Sequence, residues 1–117
     1  MTTREIAEAF ATLCREGRHQ EASDRFWSDE VVSLEAMDGP FAELVGRAAV
    51  QSKSDWWYAN HEVHGGTVEG PFVHGNQFAL RFSMDITVKE SGQRMQMTEI
   101  GLYTVAGDKV VEERFLY

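Results

Sequence analysis

The stretch "QFALRFSMDITVK", residues 77–89, alternates apolar and polar side chains along its whole length. Successive side chains of a β-strand point to opposite faces of the sheet, so this alternation predicts one long strand with a single apolar face. The residues of that face are Phe78, Leu80, Phe82, Met84, Ile86 and Val88.

The chain on both sides of this strand continues the sheet. A "SG" turn signal at residues 91–92 separates it from a second long strand, "RMQMTEIGLYTV" at 94–105. The turn "AGD" then leads into a closing strand, "KVVEERFLY" at 109–117, and a weaker strand, "TVEGPFV" at 67–73, precedes the first. Short turn signals between alternating segments indicate an antiparallel meander.

The N-terminal half reads mainly as helix. Thr2 and Glu5 fit a capping box, helical spacing of apolar residues follows, and Gly17 stands where a C-terminal cap is expected. A second helix is predicted in "HQEASDRFW" (19–27), a strand in "EVVSLEA" (30–36), a loop in "MDGPFAELVG" (37–46) and a third helix in "RAAVQSKSDWWYANHE" (47–62). Helices first and strands afterwards predict an α+β fold in which a curved sheet wraps around the helices.

Length and composition restrict the number of domains and the classes of partner. A chain of 117 residues fits a single domain, here 1–117. Eleven Lys and Arg against nineteen Asp and Glu give a net charge of −8, which disfavours nucleic acid and anionic membrane surfaces as partners. The lone cysteine cannot form an internal disulfide, and no apolar segment follows a basic start, so we expect a cytoplasmic protein.

The stretch "WWYANHEVHGG", residues 56–66, superficially resembles a zinc motif. His61 and His64 are three residues apart, whereas the zincin helix needs two histidines four apart, and the glycine pair indicates that the helix has ended. We therefore expect no metal site. The two histidines are either ordinary half-buried polar residues or part of a pocket wall, and Trp56 and Trp57 either belong to the core or lie at a cavity mouth or subunit interface.

Three stretches, "GRAAV" (46–50), "GPFVHGNQFALRF" (70–82) and above all "GLYTVAGDKVVEERFLY" (101–117), resemble the nuclear transport factor 2-like superfamily, and within it the SnoaL-like proteins. The resemblance spans nearly the whole chain. It implies a cone in which three N-terminal helices pack on a strongly curved, mostly antiparallel sheet around an apolar pocket, and a homodimer formed through the sheet. Members include ketosteroid isomerases, polyketide cyclases, dehydratases and non-catalytic binding modules, so the fold does not choose the chemistry.

The ketosteroid isomerase branch needs a base and two neutral hydrogen-bond donors for an oxyanion. The position that resembles the family's first-helix tyrosine is Phe10, which has no hydroxyl group. The position that resembles its protonated aspartate falls near Gly101, with Glu99 one strand repeat away. The base position falls at the end of the first strand, where the counts give Glu35, Met37 or Asp38.

Polyketide cyclases of the SnoaL kind carry an acidic residue on the last strand, and the matching position here is Phe115, with Glu113 one repeat earlier. Two strand registers stay open. In one, Glu99 and Glu113 face the pocket beside Tyr103, where burial raises the pKa of at least one carboxyl. In the other, both glutamates lie on the outer face and pair with Arg81, Arg94 or Arg114.

These considerations predict a pocket for a small, largely apolar carbonyl compound and a reaction that needs no cofactor, such as isomerisation, cyclisation or dehydration. The alternative is a non-catalytic ligand-binding or dimerisation module of the same fold. The candidate catalytic residues are Glu99, Glu113, Asp38 and His64. The candidate ligand-binding residues are Trp56, Trp57, His61, Phe10, Tyr103 and Phe115.

Overall fold

The computed structural model describes all residues, 1–117. Three helices precede most of the sheet, and a six-stranded sheet contains every strand. The helices are α1 (Thr3–Arg15), α2 (His19–Phe26) and α3 (Arg47–Asn60). The strands are β1 (Trp27–Leu34), β2 (Glu43–Val45), β3 (His61–His74), β4 (Gln77–Val88), β5 (Gln93–Ala106) and β6 (Lys109–Leu116).

The sheet has the strand order β2-β1-β6-β5-β4-β3. Strands β3 to β6 form the predicted antiparallel meander, and β1 joins its edge by pairing with β6 in parallel. The α+β class with three helices on a mostly antiparallel sheet is therefore confirmed. No helix has the length and apolar character needed to cross a membrane.

The core lies between the helices and the inner face of the sheet. The apolar stripe predicted on β4 faces it, since Phe78, Leu80, Phe82 and Ile86 are buried. Helix α1 covers this stripe with Ile6, Phe10 and Leu13, among others. Its first turn carries the predicted capping box, in which Thr2 and Glu5 each bond to the other's backbone.

Three segments differ from the sequence prediction. Strand β1 begins three residues before the predicted strand at 30–36 and ends two residues before its end. Helix α3 ends at Asn60, so His61 and Glu62 belong to β3, which is twice as long as the weak strand predicted at 67–73. The segment predicted as a loop at 37–46 contains β2, which pairs with the end of β1. Backbone hydrogen bonds to a neighbouring strand account for the additional length of β3 and for the presence of β2. Such pairing cannot be predicted from side-chain periodicity.

Candidate active site

A cavity of about 290 Å³ opens between the helices and the concave face of the sheet. Most of the residues that line it are hydrophobic, and aromatic rings come from nearly every element. Four long charged side chains reach into the same space: Glu35, Lys53, Glu99 and Glu113. A mostly apolar cleft or cavity with a few converging polar groups is the usual form of a small-molecule site.

Glu113 is the most deeply buried of these charged groups. It lies on β6 opposite Tyr103 of β5 and Ser33 of β1, and only 5% of its surface is exposed. Burial raises the pKa of Glu113 to about 7, against the opposing effects of Lys53 and of a hydrogen bond from Ser33. A carboxyl with a pKa near neutrality can both accept and donate a proton at physiological pH.

Glu99 faces the same cavity from β5, one strand repeat before Gly101. Its pKa is raised to about 7, first by burial and then by charge repulsion from Glu35 and Glu113, while Lys53 opposes these effects. The two glutamates are therefore inward-facing, as in the first of the two predicted registers. The arginines of the other register are paired elsewhere, Arg81 with Glu69, Arg94 with Asp85 and Arg114 with Glu112.

Lys53 of α3 links the carboxyl groups. Its Nζ lies 2.8 Å from Glu35 Oε1 and also donates to Ser33 Oγ. Ser33 is fully buried, and its Oγ lies 3.2 Å from Glu113 Oε2. The same ammonium lies 4.9 Å from the centroid of the Phe115 ring, within the range of a cation–π contact.

Tyr103 occupies the space that a side chain at residue 101 would need. A Cβ atom added to Gly101 would lie 2.6 Å from the Tyr103 hydroxyl oxygen and 2.8 Å from its ring. The ring stacks on Phe78 with centroids 4.9 Å apart and contacts Phe10 at the same distance. The position where the family resemblance expects an acidic side chain thus holds a phenol.

Two donors in the cavity wall have no partner in the protein. Tyr103 is 3% exposed, and its hydroxyl group makes no hydrogen bond, while burial raises its pKa well above the usual value and keeps it protonated. The indole Nε1 of Trp27 is buried without a partner. It lies near enough to Glu113 to lower the pKa of that carboxyl, but no acceptor completes hydrogen-bond geometry with it. Both groups can donate to a bound molecule.

Seven of the candidate residues line this one cavity. Trp56, at 50% exposure, is the most exposed of them. The ring of Trp57 stacks against His61, which lies just outside the cavity. The seven are Phe10, Trp56, Trp57, Glu99, Tyr103, Glu113 and Phe115.

Three candidates lie elsewhere. His61 begins β3, where its Nδ1 contacts the Trp57 carbonyl at 2.8 Å. His64 is exposed, and its Nε2 lies 2.7 Å from the Thr87 hydroxyl of β4. Asp38 is exposed in the turn after β1, so the carboxylate that reaches the cavity from this segment is Glu35.

Several residues that line or support the cavity were not predicted from the sequence. Lys53 and Ser33 stand at ordinary positions in their helix and strand, and their roles depend on contacts across 20 and 80 residues of chain. His19 also lines the cavity, where burial lowers its pKa and keeps it neutral. The signal available for Lys53 was a basic side chain on the inner side of α3, one helical turn before Trp56 and Trp57.

No group of three or more His, Cys, Asp or Glu is placed to hold a metal ion. The charged groups of the cavity are three carboxyl groups and one ammonium group.

A family model described as the SnoaL-like domain matches residues 1–117. The chain belongs to the SnoaL-like family. This membership agrees with the cone-shaped α+β fold and with the wider nuclear transport factor 2-like superfamily. Comparison with curated proteins found no match.

The solved structures similar to this SnoaL-like chain include a polyketide cyclase candidate of the same family from Mesorhizobium loti, which is also labelled a carbohydrate phosphatase. It is 51% identical over 100% of both chains, with a TM-score of 0.97. A Xanthomonas campestris protein of unknown function with a cystatin-like fold is 17% identical over 99% of this chain and 90% of its own, with a TM-score of 0.78. A hypothetical protein with a ketosteroid isomerase-like fold from Catenulispora acidiphila, in complex with trimethylamine, is 18% identical over 99% of this chain and 87% of its own, with a TM-score of 0.74. The last two show similarity of fold alone.

Proposed function

We propose that this protein is an acid/base enzyme that needs no cofactor and moves a proton on a small, largely apolar molecule carrying a carbonyl or similar acceptor group. The observation that carries the proposal is the convergence of Glu99 and Glu113 on one apolar cavity. For a carbonyl compound, isomerisation of a neighbouring double bond, aldol-type cyclisation and dehydration of a β-hydroxy group can each begin with such a transfer next to the carbonyl group.

The burial of the two carboxyl groups supports their part in the reaction. Each has a pKa of about 7, so each exists in both protonation states near neutral pH. Proton transfer is most efficient when the pKa of the catalytic group lies near the working pH. Carboxyl groups on a protein surface generally lack that property because water stabilises their charge.

The unpartnered donors support an oxygen acceptor on the ligand. The Tyr103 hydroxyl and the Trp27 indole N–H both lie in the cavity wall without protein partners. A carbonyl oxygen that accepts from either group gains negative charge during enolisation, and fixed neutral donors stabilise that charge. A pure hydrocarbon would leave both donors unsatisfied at a cost in binding free energy.

One relative supports the same class of reaction. The Mesorhizobium loti protein, 51% identical over its full length, is a polyketide cyclase candidate, although it is also labelled a carbohydrate phosphatase. Cyclisation of this kind begins by removing a proton next to a carbonyl group, which is the step proposed here for the cavity glutamates.

Hydrogen–deuterium exchange tests this step whatever the final product is. The protein is incubated in D2O with a panel of small cyclic ketones and β-diketones, and deuterium uptake next to the carbonyl is followed by mass spectrometry. We expect uptake above the buffer rate for some members, and a loss of about 100-fold or more in Glu113→Gln because the proton acceptor is removed.

Glu112→Gln is the matched control, since Glu112 neighbours Glu113 but pairs with Arg114 instead of lining the cavity. It should keep the wild-type exchange rate.

A second function, non-catalytic binding of a small molecule, is favoured by Phe10, which lacks the hydroxyl group that the isomerase resemblance expects. Native mass spectrometry of the purified protein separates the two functions. A bound small molecule together with no exchange in any panel member would support binding alone and contradict the enzyme proposal.

A further inference from the structure

The two cavity glutamates differ in what surrounds them. Glu113 is connected through Ser33 to the ammonium group of Lys53, whereas the carboxyl group of Glu99 makes no hydrogen bond. Similar carboxyl groups in one site take different roles when their surroundings favour opposite protonation states.

The direction of the hydrogen bonds between Lys53 and Glu113 is determined by chemistry. An ammonium group can only donate, so Ser33 Oγ must accept from Lys53 Nζ. The single hydroxyl proton of Ser33 then points to Glu113 Oε2, 3.2 Å away. A hydroxyl polarised by a neighbouring cation is a stronger donor, and donation to a carboxylate favours its ionised form.

Glu99 has the opposite surroundings. The carboxyl groups of Glu35 and Glu113 repel its charge, and the ammonium of Lys53 is engaged with Glu35 and Ser33. Desolvation acts against the ionisation of both carboxyl groups, but only Glu113 accepts a hydrogen bond from Ser33 that opposes this effect. The first proton bound by the pair is therefore held more favourably on Glu99 than on Glu113.

We propose that Lys53 and Ser33 are positioning residues that make Glu113 the proton acceptor of the cavity and leave Glu99 as the proton donor. This inference rests on the proposed function for the catalytic meaning of the two roles. The assignment of the proton itself is a property of the free protein, and it is testable without a substrate.

The assigned roles give a balanced step for a carbonyl compound. The C–H bond next to the carbonyl breaks, and its proton goes to the Glu113 carboxylate. The electron pair of that bond forms a C=C bond, and the carbonyl oxygen takes the proton of Glu99. The products are an enol, a protonated Glu113 and an ionised Glu99. Both groups are restored when Glu113 returns a proton to carbon, at the same carbon or at the far end of a conjugated dienol, and Glu99 takes the enol proton.

The other ionisable groups of the cavity do not alter the assignment. Lys53 is the cation among them, because burial keeps His19 neutral and the thiol and phenols stay protonated. Besides the two glutamates, the ionisable groups that line the cavity are Cys14 from α1, His19 from α2, Glu35 after β1, Lys53 and Tyr58 from α3, Tyr103 from β5 and Tyr117 after β6.

A carboxyl titration by NMR tests the inference. The side-chain carboxyl carbons of glutamate are labelled with 13C in the full chain, and their shifts are followed against pH. Signals are assigned with Glu99→Gln and Glu113→Gln. We expect Glu113 to ionise at a lower pH than Glu99 in the wild type.

Ser33→Ala should raise the midpoint of the Glu113 titration by about one pH unit, since the substitution removes a hydrogen bond to the charged carboxylate. Ser54→Ala is the matched control, because Ser54 lines the same cavity without a hydrogen bond to either carboxyl. It should leave both midpoints in place.

The inference is overturned if Glu99 ionises before Glu113, or if Ser33→Ala leaves the Glu113 midpoint at its wild-type value. Should Ser33→Ala fail to fold, Lys53→Met tests the same connection, with the same expected direction. The order of ionisation in the wild type decides the matter even without these variants. If Glu113 ionises before Glu99 but no panel member exchanges deuterium, the proposed function is refuted and the assignment of the proton stands.

Discussion

Two regions of this chain carry residues that suggest chemistry, and only one of them forms a site. At the junction of α3 and β3, His61, Glu62 and His64 lie close together in sequence. His61 contacts a backbone carbonyl, and the exposed His64 contacts the hydroxyl group of the half-buried Thr87. On β5 and β6, Glu99 and Glu113 are 14 residues apart in sequence and line one cavity. Proximity along the chain is a weaker indicator of a site than a shared inner face of a sheet.

The difference in burial explains the difference in chemistry. Glu113 has lost its water and has a pKa of about 7, whereas His64 is exposed to solvent. A side chain that lies in solvent has no cavity around it in which a ligand could be oriented.

The largest expected contrast between the two regions is in deuterium exchange. Tyr103→Phe removes the unpartnered hydroxyl group while retaining the stacked ring, and we expect the exchange rate of an active ketone to fall about 100-fold, as on loss of one oxyanion donor. His64→Gln, outside the cavity, should change the rate by less than about twofold because it transfers no proton there. Equal losses in the two variants would refute the distinction.

A smaller contrast is expected in stability between two glycines. Gly101→Ala forces a Cβ within 2.9 Å of three atoms of the buried Tyr103 side chain, and we expect it to lower the free energy of unfolding by about 1–3 kcal/mol. Gly65→Ala, beside His64, meets nothing within 4 Å and should change stability by less than about 0.5 kcal/mol.

Urea denaturation of the two variants measures this contrast. A Gly101→Ala variant as stable as the wild type would mean that Tyr103 does not fill the space at residue 101.

The fold could be predicted from the sequence because its signals are local. Alternation over β4, the turn signals that flank β5 and the capping box of α1 each report a local preference that the structure retains. The segment β2 could not be predicted, since its three residues gain strand geometry only by pairing with β1.

The site could be predicted in part. Period-two spacing placed Glu99 on the same face as Tyr103, and Glu113 on the same face as Phe115, but the pattern alone could not say which face was inner. Ser33 gave no signal, because its role depends on β1 lying parallel to β6 and bringing it beside Glu113. Contacts of this kind depend on topology rather than on residue type.

The central claim is that Glu99 and Glu113 are both held in an apolar cavity, and the pH dependence of stability tests it most directly. In the folded protein both pKa values are about 7, against 4.5 as the ordinary value for glutamate. Between these values the folded state binds more protons than the unfolded state, so these two groups lower the free energy of unfolding as the pH rises from 4.5 through 7.

The measurement compares the wild type with the double variant Glu99→Gln and Glu113→Gln by urea denaturation at pH 5 and pH 8. We expect the free energy of unfolding of the wild type to fall by about 5 kcal/mol more than that of the double variant over this interval, about 2.5 kcal/mol for each group, since only the wild type must ionise buried carboxyl groups. Parallel pH profiles for the two proteins would contradict the account, because both glutamates would then titrate as they do in water.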